Sequence, residues 1–336
     1  MGNKKMILSI IIAIVAGFTV LSLINFFNRG EVNVLPLLLS VPIKVYILSF
    51  LIFVSSYFIE ALRMMYLLYH RGYRVKFGQV LYNNIVGYLF SYLTPFAMGG
   101  QAFQVYHLSS IGVDSSYATG VMAARILQNS IGNMVIAIIM LNTTLGWLLK
   151  EGHIVIVGIA ISLTSSTFLI ISMAKPEILI PLVKIVSKIF KKEKWLQKYK
   201  KWSSDFRESI EYMWKKNLYI MFIDIFGWFC VIAIQLFSLF FIIKVAFHVD
   251  VNYWMLFGMI NAVNALAYFV PTPGASGGIE ATYQYVLSML VKDSDIALKS
   301  ITSWRFVAYY MQIILGTILM ASSNSKALKA DEQGGR

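Results

Sequence analysis

Ten consecutive residues hold much of the sequence's capacity to organise charge: Pro271-Thr272-Pro273-Gly274-Ala275-Ser276-Gly277-Gly278-Ile279-Glu280. A shorter relative of this stretch, Thr94-Pro95-Phe96-Ala97-Met98-Gly99-Gly100, occurs earlier, so the pattern TPxxxGG appears twice at an offset of 178 residues. Proline has no N–H and keeps the residue before it out of the helical region, while glycine admits backbone angles closed to other residues. Each motif is therefore expected to end one helix and start another, with a Gly pair as break or hinge. Backbone N–H groups at the start of the second half-helix, at Gly277 and Gly278, are free to meet an anion. Glu280 falls in the first turn of that half-helix, where a carboxylate suits the helix dipole.

Two arginines, Arg125 and Arg305, lie in the apolar stretches that follow the two motifs. A guanidinium holds a carboxylate or a phosphate through parallel hydrogen bonds, so both are candidate counter-charges for Glu280 or for a bound phosphate. Asn83 and Asn261 repeat at the same offset as the motifs. The candidate substrate-binding set is thus Asn83, Thr94, Pro95, Gly99, Gly100, Gln101 and Arg125 in the first half. Asn261, Thr272, Pro273, Gly277, Gly278, Glu280 and Arg305 form its counterpart in the second. Gln104 and His107 follow the first motif and are weaker candidates. Glu60 and Asp224 fall near the ends of apolar runs and read as interfacial residues with local partners. Substituting Glu280 or Arg305 with Ala is expected to abolish activity while the protein still accumulates.

The chemistry sits in an unusual solvent. Of 336 residues, 58% are hydrophobic and only 13% charged, against about 25% charged in an ordinary soluble domain. Six runs are long enough to cross a hydrocarbon core about 30 Å thick: 6–27, 43–62, 117–147, 152–174, 217–243 and 297–321. Two more, 79–113 and 252–291, carry the Pro/Gly breaks and read as re-entrant or half-helix hairpins. The fold class is therefore an all-α polytopic membrane protein, with residues 1–336 forming a single integral membrane domain. The run 6–27 resembles a signal peptide without a small-residue cleavage site and reads as a retained first helix.

The net charge of +13 would bring nucleic acid to mind in a soluble protein, but here the basic residues cluster between apolar runs. That pattern points to anionic headgroups and to no nucleic-acid partner. Lys4 and Lys5, then Arg63, Arg71, Arg74 and Lys76, then the segment 175–216, then Lys326, Lys329 and Arg336 all fall on one side. By the positive-inside rule this side is cytoplasmic, which places both termini in the cytoplasm and the protein in the inner membrane. Segment 175–216 carries twelve Lys/Arg against five Asp/Glu. Trp195, Tyr199, Trp202, Phe206, Ile210 and Met213 recur on one helical face, so it reads as a basic amphipathic segment for an anionic membrane surface or a lipid-modifying enzyme partner. Cys230 is the sole cysteine and the four histidines are scattered. No disulfide, metal site, cofactor or catalytic constellation is expected.

The topology gives the duplication a direction. The first motif lies between a run entering the cytoplasm and one leaving it, and the second between a run leaving and one returning. Repeat A, about 43–147, and repeat B, about 217–321, then form an inverted-topology repeat, an arrangement that builds midplane sites from discontinuous helices.

The two motifs, read with the residues that follow (Ile279-Glu280 and Gln101), resemble those of the flippase-like integral membrane domain of bacterial lysylphosphatidylglycerol synthases, also found as stand-alone proteins in bacteria and archaea. The resemblance covers nearly the whole chain. It implies a membrane part linked to moving an aminoacylated phosphatidylglycerol across the bilayer. The chain stops at Arg336, so the expectation is the translocating part without the lipid-synthesising activity. A membrane-embedded transferase, and a non-catalytic partner of a lipid-modifying enzyme, are the alternatives. The resemblance implies a phospholipid ligand, anionic or zwitterionic. The first motif departs from relatives at Gln101, where an acidic residue is common; this bears on any cationic headgroup held there.

Overall fold

The computed structural model describes residues 33–151, 153–190, 194–197, 199–200, 203, 218–267, 270 and 272–334. The expected first span, 6–27, lies outside the described residues, as do Trp202, Phe206, Ile210 and Met213. The described residues are helical, with no strand among them. A short helix α1 (Leu35–Leu39) leads into α2 (Ile43–Tyr69), α3 (Phe77–Leu93), α4 (Met98–Ser110), α5 (Ser115–Glu151) and α6 (His153–Ala174). Helix α7 (Ile180–Ile189) is followed by α8 (Leu218–Ala246), α9 (Tyr253–Ala267), α10 (Gly278–Val291), α11 (Ser294–Arg305) and α12 (Met311–Gly334). Five stretches are long and apolar enough to cross a bilayer: Ile43–Tyr69, Ser115–Met140, Val155–Ser172, Leu218–Ala246 and Ser294–Ser323. They coincide with five of the six expected spans.

The two broken stretches fold alike, for the reason proline dictates. Thr94 and Thr272, each before a proline, are extended (φ −118°, ψ 144° and φ −103°, ψ 155°). Each is followed by a 3₁₀ turn, Pro95–Ala97 or Pro273–Ala275. The left-handed residues that reverse the chain are Phe96 and Ala97 in the first turn, Gly274 and Ala275 in the second. Three of these four are not glycine, and each such residue costs about 1–2 kcal/mol. The expectation that a Gly pair forms the break is corrected for the first motif, whereas in the second Gly277, at φ 97°, stands in the break as the N-cap of α10. Gly99 and Gly100 lie inside α4 and permit close packing instead. A Cβ on Gly100 would sit 1.9 Å from Ser91 Oγ and 2.7 Å from the Gly87 carbonyl oxygen, so α3 and α4 close on one another only because position 100 has no side chain. Thr94 helps: its Oγ1 accepts from the Gly99 N–H at 2.9 Å and donates to the Phe90 carbonyl at 2.8 Å.

The succession long helix, half-helix, 3₁₀ turn, half-helix, long helix thus occurs twice, over 43–151 and 218–334. The halves interlock. Helix α2 packs along α8, α3 packs on α12, and α9 packs on α5 and α6, while the two 3₁₀ turns touch each other. Tyr57, Leu89, Leu239, Ile260, Leu287, Val307 and Tyr309 are among the buried residues of the common core.

Helix α7, which follows α6, has three distinct faces. Val183 and Val186 are half-buried and Ser187 is buried. Leu182, Ile185 and Ile189 are 57%, 58% and 68% exposed on the opposite side. Lys184 and Lys188 project between them into the open. Helix α7 lies within segment 175–216 but carries none of the six residues expected on the segment's apolar face, of which only Trp195 and Tyr199 are described.

Candidate functional site

Six charged side chains are buried among the described residues: Glu60, Arg63, Arg125, Asp224, Glu280 and Arg305. A lone charge in such a place is untenable, so each must be paired. Glu280 is wholly buried and belongs to two elements at once. Its Oε2 accepts from the Gly277 N–H at 2.7 Å, capping α10, and its Oε1 accepts from Arg305 Nε at 2.8 Å. Arg305 reaches back to the turn through Ser276 Oγ at 3.3 Å, and its guanidinium lies 4.1 Å from the ring centroid of Tyr309. Tyr309 is brought there by a π-helical turn, Phe306–Tyr310, immediately after Arg305; such turns recur at functional sites. The Tyr309 hydroxyl faces the carbonyls of Pro273 at 3.4 Å and Tyr92 at 3.5 Å, one from each half.

The second cluster joins α2, α5 and α8. Arg63 makes a forked pair with Asp224, Nε to Oδ1 at 3.1 Å and Nη2 to Oδ2 at 2.7 Å, and donates through Nη1 to Glu60 Oε2 at 2.8 Å. Arg125 Nη2 donates to the other Glu60 oxygen, Oε1. The order is Arg125, Glu60, Arg63, Asp224, with alternating sign. Three sequence expectations change here. Arg125 pairs with Glu60 and not with Glu280. Glu60 and Asp224 are buried at 7% and 1% exposure, not interfacial. Arg63 lies inside α2 at 5% exposure and is no loop cation. Positions 60 and 63 are a single helical turn apart and face the same way. That spacing was legible, whereas their approach to Asp224 depends on α2 packing along α8.

A cavity of about 350 Å³ lies between the two clusters. Its charged lining residues are Glu60, Arg125 and Arg305. Gln101, Gln104, Asn129, Gln235, Asn261 and Asn264 supply polar groups, and Tyr88, Tyr92, Trp228, Tyr283 and Trp304 an aromatic wall. The turn residues Phe96, Ala97, Gly274 and Ala275 also face it. Of the sequence-derived set, Gln101, Arg125, Asn261 and Arg305 line the cavity. Thr94, Pro95, Gly99, Gly100, Thr272, Pro273, Gly277, Gly278 and Glu280 are not among its lining residues. Asn83 is turned away, donating to the Gln104 carbonyl at 2.9 Å and lying 3.1 Å from His107 Nδ1. The Gly277 N–H, expected to be open to an anion, is taken by Glu280. Gln235 and the aromatic residues carried no motif and were missed.

Two comparisons with known proteins bear on this architecture. The model of the family described as lysylphosphatidylglycerol synthase TM region matches residues 6–316. A UPF0104 membrane protein of Archaeoglobus fulgidus is 26% identical over 285 residues, covering 81% of this chain and 84% of the relative. The family match takes in both broken hairpins, both arginines, four of the membrane-length helices and most of the fifth. The chain is a multi-pass integral membrane protein of the lysylphosphatidylglycerol synthase transmembrane-region family.

Proposed function

We propose that the protein is a flippase-like transporter that moves a phospholipid or lipid-linked headgroup across the bacterial inner membrane, its termini in the cytoplasm. The observation that carries this reading is the cavity between the two halves, mostly apolar in its lining but with Arg125 and Arg305 on its wall and membrane-length helices around it. A cavity of about 350 Å³ is at the small end for a ligand site. It suits a headgroup, with the acyl chains left in the bilayer. The repeated order of elements supports an inverted-topology duplication, and the two Thr-Pro turns are natural places for the halves to pivot. Family membership supports a role in lipid modification or flipping. Glu60 and Glu280, already held by arginines, give a transferase no evident base, which favours movement over chemistry.

The test is reconstitution into vesicles with headgroup-labelled phospholipids, followed by loss of label accessibility from one leaflet. Wild-type-dependent movement that Arg125→Gln slows at least tenfold supports the reading. Absence of movement for every lipid offered overturns it.

A further inference from the structure

The buried charges around the cavity cancel. Three are positive (Arg63, Arg125, Arg305) and three negative (Glu60, Asp224, Glu280), and every one is bonded to an opposite partner. In a low-dielectric interior a ligand with net charge would bring an uncompensated ion into this balance, which is unfavourable. A ligand bearing one charge of each sign would not. The wall also has a place for each sign. Arg125 is 95% buried, its exposure being 5%. It makes one hydrogen bond, to Glu60, and its Nε–H has no partner. A phosphodiester oxygen is the acceptor such a group lacks. Glu60, beside it, holds Arg63 through its other oxygen, so an ammonium that displaces Arg125 from Glu60 leaves neither carboxylate oxygen without a cation. Tyr88, Trp228 and Trp304 lie on the same wall.

Resting on the transporter reading, we propose that the cavity selects a net-neutral, zwitterionic headgroup, a phosphodiester next to a primary ammonium, with the phosphate on Arg125 and the ammonium on Glu60. Asp224 and Arg63, which do not line the cavity, set this preference through the charge they contribute behind the wall.

The experiment is competitive lipid binding to the purified protein by native mass spectrometry. Three phospholipids with the same acyl chains are offered: phosphatidylethanolamine (net neutral), phosphatidylglycerol (net anionic) and lysylphosphatidylglycerol (net cationic). Wild type is expected to retain the neutral lipid about tenfold over either other one, a difference of about 1.4 kcal/mol. Asp224→Asn removes one negative charge and should shift the preference to the anionic lipid. Gln101→Glu adds one at an exposed, readily tolerated position and should shift it to the cationic lipid. Equal retention of all three by wild type, a wild-type preference for a charged lipid, or no shift in Gln101→Glu overturns the inference. Binding selectivity and translocation separate the two proposals. Selective binding without movement sinks the transporter alone, and movement without the charge rule sinks the rule alone.

Discussion

Glu280 ties Arg305 to the start of a helix that Arg305 does not belong to: one carboxylate oxygen takes the Arg305 Nε–H at 2.8 Å and the other takes the Gly277 N–H at 2.7 Å. Truncating either partner leaves a buried charge unpaired, which costs about 3–5 kcal/mol. Glu280→Ala and Arg305→Ala are therefore expected to lower the thermal unfolding temperature and the yield of folded protein in detergent, contrary to the expectation from sequence that they would spare accumulation. Glu280→Leu combined with Arg305→Met should unfold at a higher temperature than either Ala variant. A double variant no more stable than the singles would show that the pair does not act as a unit.

Asp224 is the end of its chain of alternating charges and offers both oxygens to Arg63. Asp224→Ala leaves Arg63 with Glu60 as its one carboxylate partner, beside Asn129 Oδ1 at 3.3 Å, and is expected to destabilise by about 3–5 kcal/mol. Asp224→Asn, which keeps the shape and one acceptor, should cost less. Thermal unfolding in detergent ranks the two, and the reverse order would contradict the forked geometry.

Gly274 combines a left-handed backbone, φ 59°, with a missing Cβ that would sit 2.1 Å from Tyr309 Cε2. Gly274→Ala must displace the Tyr309 ring from its place beside Arg305. A loss of about 1–3 kcal/mol is expected from the overpacking alone. Combining it with Tyr309→Ala, which removes the obstructing ring, should cost less than the sum of the two single changes. Additive losses would show that the clash is relieved elsewhere.

The three faces of α7 make a depth prediction. In a Cys230→Ser background, which removes the sole native cysteine, single spin labels along Ile180–Ile189 should report three environments. Labels at Leu182, Ile185 and Ile189 should be accessible to dissolved oxygen in lipid, and those at Lys184 and Lys188 to a water-soluble nickel chelate. Labels at Val183, Val186 and Ser187 should be accessible to neither. An even profile along the helix would rule out a position at the membrane interface.

Much of the framework follows from local rules. Apolar runs of membrane length gave five described helices, and Thr-Pro gave the two breaks, because a residue before proline is driven extended wherever it occurs. The left-handed residues were not legible: Phe96, Ala97 and Ala275 take a conformation their side chains disfavour, and only the fold around them compensates. The site was legible in type and not in pairing. Arg125, Arg305 and Glu280 were each marked by being charged in apolar surroundings. Which carboxylate meets which arginine depends on helices distant in sequence, so Glu60 and Asp224 were misplaced at the interface. The two glycines of the first motif were read as a flexible point, yet Gly100 proves to be a point of closest approach.

The touching of the two 3₁₀ turns has a mechanical consequence. Each turn is the joint of its own half, and the Tyr309 hydroxyl bridges the carbonyl ahead of one joint and the carbonyl within the other. Neither joint bends without displacing its counterpart, so the halves are geared together. Such gearing leaves one principal stroke in place of two independent ones, the motion that the proposed transport of a headgroup would use.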